Sequence, residues 1–217
     1  MSAKSYKSVK NCVARHLSEH GFVARDFDTL EMKVDGVSII LEFQKDKDCK
    51  GDVTRFTVSI AIFIGLLMSN HPPSEGLTLK KPSLSDSHWW DRLGKLLPVD
   101  ADVWWCVSNE QSAQTSCAEI VEGVVNHALP KIKEIASVEA LLGQWKSGVG
   151  HGLTEYQRHL YLARLLCKIG ISEEALEAIQ SLENSAQGKS WEAAARYEAK
   201  SCDNSCQYSQ QTFVMER

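Results

Sequence analysis

An α+β fold is predicted for this chain: an N-terminal helix, an antiparallel β-meander of about 4–5 strands, then a C-terminal all-helical part. Three observations predict it. Apolar residues recur at helical spacing near the start, switch to a period of two in segments between residues 30 and 64, and return to helical spacing after residue 110. A composition of 43% hydrophobic and 24% charged residues over 217 positions is that of a chain able to bury its own core.

Tyr6, Val9, Val13 and Leu17 place a helix over Lys4–His20, and Gly21 suits the left-handed residue that ends it. Leu30, Met32 and Val34 then alternate with Glu31 and Lys33. Asp35-Gly36 supplies the positive dihedrals of a tight hairpin, and Val37, Ile39, Leu41 and Phe43 form the return strand. Phe22–Phe27 reads as a short edge strand. A charged loop over Lys45–Val53 leads to a strand with Phe56, Val58, Ile60, Ile62 and Ile64 on one face and Ser59, Ala61 and Phe63 on the other. Prolines, glycine and serines make Ser69–Ser87 an irregular loop. A helix over Asp86–Leu97 and a strand over Asp102–Val107 follow. Trp104 and Trp105 are adjacent in that strand, so one of them faces the core.

Cys117, Val121, Val124, Ala128, Ile132 and Ile135 form a helical stripe that Pro130 should kink near Leu129. Ser137 caps a short helix through Trp145, and Gly148–Gly152 is a joint. Thr154 and Gln157 form a capping box for a helix to about Ile169, with Gln157, Tyr161, Arg164 and Lys168 on its polar side. Ser172 caps the next helix, whose stripe is Ala175, Leu176, Ile179 and Leu182. These two form one hairpin of tetratricopeptide type without a second copy, so no solenoid is expected. A last helix covers Ser190–Lys200. The organisation expected is residues 1–110 as the sheet domain, 111–200 as a helical extension packed on it, and 201–217 as a disordered tail.

With 24 Lys+Arg against 28 Asp+Glu the net charge is -4, so no nucleic-acid partner is expected. Met1–Lys10 lacks a signal-peptide core, and the apolar run Phe56–Met68 is too short to span a bilayer, so no membrane association is expected. The seven cysteines are odd in number and scattered, which reads as reduced thiols in a cytoplasm.

Asp35 and Glu42 superficially resemble a nuclease metal pair, but seven strand residues separate them by roughly 20 Å, too far to share one ion. Asp46, Asp48 and Gly51 echo a calcium loop, yet Lys50 and Thr57 stand where oxygen ligands belong. Cys202 and Cys206 have helical ligand spacing but no nearby second pair for zinc. The histidines fall in no local nucleophile or zinc motif. No catalytic residue, metal or cofactor is therefore assigned, and the question of an enzyme stays open with the balance against it.

Four of the six tryptophans fall in His88-Trp89-Trp90-Asp91-Arg92-Leu93 and Asp102-Val103-Trp104-Trp105. Indole and guanidinium groups dominate interface hot spots, so this cluster is either a structural aromatic core or a recognition surface. Trp89 and one of Trp104 and Trp105 are expected to be structural. Gln44, His88, Trp89, Trp90, Arg92, Trp104 and Trp105 are the candidate binding residues.

His-Trp-x-x-Arg-Leu at His88–Leu93 followed by Asp-x-Trp-Trp at Asp102–Trp105 resembles the signature of a bacterial family known as domain of unknown function 4304. The opening helix, the Gly-Phe start of the meander and the pair Gln44-Lys45 ending a strand are similar too. Asp46 departs from the small residue expected next. The resemblance covers Lys4–Val107 best and implies an α+β fold with a helical C-terminal part, without catalytic residues to carry over.

The function expected is that of a non-enzymatic cytoplasmic binding protein of bacterial type, such as an immunity protein that neutralises a toxin by protein–protein contact. The alternative is an uncharacterised enzyme or small-ligand-binding protein with a pocket near Gln44, His88, Arg92 and Trp104. An adaptor role for the helical hairpin Thr154–Leu182 is a third expectation. Nothing in the sequence specifies the oligomeric state.

Overall fold

The computed structural model describes residues 2–49, 51–68, 84–170 and 172–202. Most of the expected Ser69–Ser87 loop, most of the expected tail, and Cys206 lie outside them. In chain order the elements are α1 (Ser2–Leu17), β1 (Val23–Ala24), β2 (Thr29–Val34), β3 (Val37–Lys45), β4 (Thr54–Ile64), α2 (Gly65–Met68), β5 (Trp89–Arg92), α3 (Leu93–Leu96), β6 (Trp105–Val107), α4 (Glu110–Gly123), α5 (Leu129–Ile135), α6 (Val138–Lys146), α7 (Glu155–Ile169), α8 (Ser172–Ala186) and α9 (192–202). This is the α+β architecture the periodicities predict. None of the helices among the described residues is long and apolar enough to cross a membrane.

The chain parts into two compact units, one of Met1–Phe63 with Lys80–Ser137 and one of Ile64–Leu79 with Val138–Arg217. Residues 111–137 thus group with the sheet, where the sequence drew a boundary at 110.

In the first unit, α1 ends in a 3-10 turn at Ser18–His20, and Gly21 takes the left-handed conformation at φ 89°. The hairpin forms as its turn residues dictate. Asp35 and Gly36 both have positive φ, and Val34 pairs with Val37. The sheet runs β1-β2-β3-β4-β5, with β6 also paired to β4. Eleven-residue β4 serves two short strands on one edge: Thr54–Phe56 pair with β6, and Ser59–Ile62 pair with β5.

That pairing corrects the helix expected over Asp86–Leu97. Trp89 and Trp90 lie opposite Ile62 and Ala61 in an antiparallel ladder, and only the single turn α3 remains helical. Four residues are too few to display a period, and aromatic side chains favour strands. The strand expected from Asp102 likewise begins only at Trp105.

One face of the sheet is the aromatic core of this unit. Phe56 lies 5.2 Å from Tyr6 of α1, 6.2 Å from Phe43 and 6.0 Å from Trp105, between ring centroids. Helix α4 packs against α1 and is fastened at its start by a reciprocal Asn109–Ser112 capping box. A π-helical turn over Val124–Ala128 precedes α5 and resets the ladder next to Pro130, which donates no backbone hydrogen bond. Cys12 of α1 and Cys117 of α4 form a disulfide, which corrects the reading of all seven cysteines as reduced thiols.

The second unit joins α7 and α8 through Gly170, left-handed at φ 79°, and α7 carries the expected Thr154–Gln157 box. Arg158 is buried. It donates to the Trp145 carbonyl at 2.6 Å and to Glu155 at 2.6 Å, which ties α6 to α7. Two expected faces are corrected. Tyr161 is buried against Trp145 instead of lining the polar side of α7, and Leu176 is 53% exposed while Ala178 and Ala186 share the buried stripe with Ile179 and Leu182.

Candidate functional site

Strand alternation divides the first unit's chemistry between two faces. Phe43 and Phe56 share the core face, so Glu42 and Gln44 of β3 point the other way, together with Arg55, Thr57 and Ser59 of β4. Arg92 lies opposite Ser59 and Trp90 opposite Ala61, which puts both on this second face. Trp104, just before β6, completes the group.

Trp104 is partly exposed and held on three sides. The Arg55 guanidinium lies 4.6 Å and that of Arg92 5.2 Å from the Trp104 ring centroid, within cation–π range. Its Nε1 donates to Asp102 Oδ2 at 3.0 Å, and the other oxygen of Asp102 is 3.5 Å from Arg92 Nε. Arg55 in turn is 3.1 Å from Asp46. Gln44 donates to Glu42 at 3.0 Å on the same face. Two deeper polar atoms, Ser59 Oγ and Arg92 Nη1, are buried without a hydrogen-bond partner among the described residues.

The seven sequence-derived candidates therefore separate. Gln44, Trp90, Arg92 and Trp104 share the second face. Trp89 and Trp105 are 3% and 4% exposed: Trp89 lies opposite Ile62, Trp105 stacks on Phe56, and the Trp105 indole donates to Glu119 at 3.0 Å. His88 is buried edge-on against Phe63, 6.2 Å between centroids, and does not stand at the surface beside Arg92. Sequence reasoning missed Arg55, Asp102 and Ser59 as members of this group. The signal for Arg55 was its two-residue spacing from Thr57 and Ser59 on a strand whose Phe56, Val58 and Ile60 face the core.

A further cluster, on α1, is structural. Asp28 Oδ1 accepts from both Tyr6 Oη at 3.0 Å and Lys10 Nζ at 2.7 Å, and Lys10 also donates to the Phe27 carbonyl. Burial, with help from Asp28, pushes the Tyr6 phenol well above its ordinary range, and burial lowers the Lys10 ammonium. A small cavity of about 180 Å³ adjoins Lys10 and Asp28. Neither it nor the larger cleft beside α1 is lined by Gln44, His88, Arg92 or Trp104.

A family described as "Domain of unknown function (DUF4304)" matches residues 13–134, more than half of the chain and every residue of the Trp104 cluster. No curated protein and no solved structure matches the chain.

Proposed function

This chain belongs to the domain of unknown function 4304 family, and from that premise we propose that it is a non-enzymatic binding protein that engages another protein through Trp104. The observation that carries this reading is a partly exposed indole fixed between two guanidinium groups and a carboxylate. A side chain held in this way loses little conformational entropy on binding, and Trp and Arg are the residues most enriched at interface centres. The contacts among these side chains are those of recognition: ion pairs, an indole donor and cation–π stacking.

The narrower form of the proposal is an immunity-type antidote in a bacterial cytoplasm that covers a toxin's active site. The net charge of -4 supports a basic partner, whose approach the chain's field would steer, while Arg55 and Arg92 offer local donors to its carboxylates.

The test is a photoreactive residue placed at position 104 in the full chain in its native host, with position 99 on an exposed turn as control. One protein should crosslink from 104 and not from 99. Binding of that purified protein should weaken at least about 30-fold in Trp104→Ala, the scale of a hot spot. Unchanged affinity of the variant would overturn the proposal.

A second reading, a small anionic ligand held near Ser59 and Arg92, is favoured by the two buried polar atoms without partners. It predicts that inorganic phosphate or a short dicarboxylate raises the melting temperature of the wild type and not of Arg92→Ala. Equal response of both chains would remove it.

A further inference from the structure

We propose that Cys12, His16 and Cys117 form a redox-gated site for a soft divalent cation, zinc by the nature of its ligands. Cys12 and His16 are four residues apart on α1 and so share one face of the helix, and Cys117 comes from α4 packed against it. A donor atom from each of the three lies within 4.8 Å of the other two. His16 Nδ1 is 3.7 Å from Cys12 Sγ and 2.9 Å from the Cys12 carbonyl oxygen. Two thiolates and an imidazole are the donor set that zinc takes in sites with three protein ligands, the fourth position going to water or another side chain.

A bridge that only ties two helices together needs neither a ring nitrogen beside it nor open space above it. This one has both. A cleft of about 470 Å³ opens over the sulfurs, with room for water in the fourth position. Cys12 is partly exposed and Cys117 is buried, so an incoming thiol meets the Cys12 sulfur first.

In the gating step a thiolate of a small dithiol reductant attacks Cys12 Sγ, the Cys12–Cys117 bond breaks, and Cys117 leaves as a thiolate. The reductant's second thiol then attacks the mixed disulfide, releases Cys12 as a thiolate and leaves the reductant oxidised to its own disulfide. Two electrons have passed to the bridge. Zinc then binds both thiolates, displacing any proton they have taken up, while His16 gives up the Nδ1–H bond to the Cys12 carbonyl, shifts that proton through solvent to Nε2, and offers the freed Nδ1 lone pair to the metal. Protons compete for these donors, so affinity rises with pH.

The experiment uses the full chain, with Zn²⁺ in a chelator competition and Co²⁺ as a spectroscopic stand-in. After reduction by a phosphine, one equivalent should bind, and Co²⁺ should give sulfur-to-metal charge-transfer absorption. The oxidised chain should bind neither. Cys12→Ser, Cys117→Ser and His16→Ala should each lose more than about 100-fold in affinity, beyond the 10–100-fold typical of outer partners. A double Cys49→Ser, Cys106→Ser variant, which removes two exposed free thiols, should bind as the wild type does. Because loss of either bridge cysteine can impair folding, alkylation of the unaltered reduced chain is the second measurement: zinc should protect Cys12 and Cys117 selectively, mapped by mass spectrometry. Alkylation of those two at the same rate with and without zinc, or equal binding by the oxidised chain, overturns the proposal.

Discussion

Trp104 and Trp105 are consecutive residues with the same side chain, and the sheet gives them opposite fates. Trp105 stacks on Phe56 within the aromatic cluster under α1, with its indole nitrogen satisfied by Glu119. Trp104 projects to the other face and meets Arg55, Arg92 and Asp102 instead of other rings. On one face the ring is buried against Phe56, with only its nitrogen reaching a carboxylate, so its contribution is to stability. On the other the partners of the indole are charged and partly solvated, so its contribution to folding is small and its surface remains available.

Truncation of each ring breaks this comparison most sharply. Trp105→Ala should cost about 3–5 kcal/mol, the range for removing a large buried aromatic side chain, while the exposed Glu119 carboxylate exchanges its indole donor for water. Trp104→Ala should cost about 1–2 kcal/mol, since partly exposed cation–π and ion-pair contacts are individually weak. Urea unfolding of the two variants measures both, and equal losses would mean that Trp104 belongs to the core.

The next largest effect concerns the turn that delivers the two indoles to their faces. A Cβ at Gly94 would stand 2.3 Å from the Ala101 carbonyl oxygen and 2.7 Å from the Val103 backbone nitrogen, contacts that backbone cannot yield cheaply. Gly94→Ala should therefore destabilise by about 1–3 kcal/mol, as overpacking does, and displace the segment that carries Asp102 and Trp104. A shift in the near-ultraviolet tryptophan signal should accompany the lost stability. An unperturbed variant would show that α3 does not set the position of Trp104.

What could be read from the sequence follows the same division. Alternation through Leu30–Val34 and Val37–Phe43, the Asp35-Gly36 turn and the Thr154–Gln157 box are local signals, and local geometry decided them. Alternation also required that Trp104 and Trp105 diverge, but which one turned inward depended on the register of β6 with Phe56, a contact 49 positions away in sequence. Trp89-Trp90 reads as helical from its neighbours in sequence because β5 is four residues long and its identity comes only from pairing with β4. Arg55 and Arg92 meet the same indole only once β4 has paired with both short strands. The Cys12–Cys117 bridge spans 105 residues, and no spacing rule links such a pair.

The core face should also respond to pH where Tyr6 lies. Burial and Asp28 raise the folded-state pKa of its phenol above the unfolded value near 10. Above about pH 10 the unfolded chain loses that proton while the folded chain keeps it, so the unfolded state binds fewer protons and stability falls as pH rises, by up to roughly 1.4 kcal/mol per pH unit. Below that pH the group contributes no slope. Lys10, lowered by burial, acts with the opposite sign as pH approaches its unfolded value of about 10.4, so the informative quantity is the difference between wild type and Tyr6→Phe. That difference should be about 1 kcal/mol at neutral pH, from the lost bond to Asp28, and should shrink at alkaline pH. A difference independent of pH would place the Tyr6 hydroxyl in contact with solvent.

The smallest effect sharpens the comparison on the Trp104 side. Each guanidinium beside the indole should couple to it by about 0.5–1 kcal/mol, the scale of partly exposed cation–π pairs. Double-mutant cycles of Trp104→Ala with Arg55→Ala and with Arg92→Ala isolate those terms. Arg92 also faces Asp102, which itself accepts from the Trp104 indole, so its cycle should give the larger coupling and the greater loss with added salt. If both couplings vanish, Trp104 is not held by its neighbours, its rotamer is free, and the entropic advantage that makes it a binding anchor goes with it.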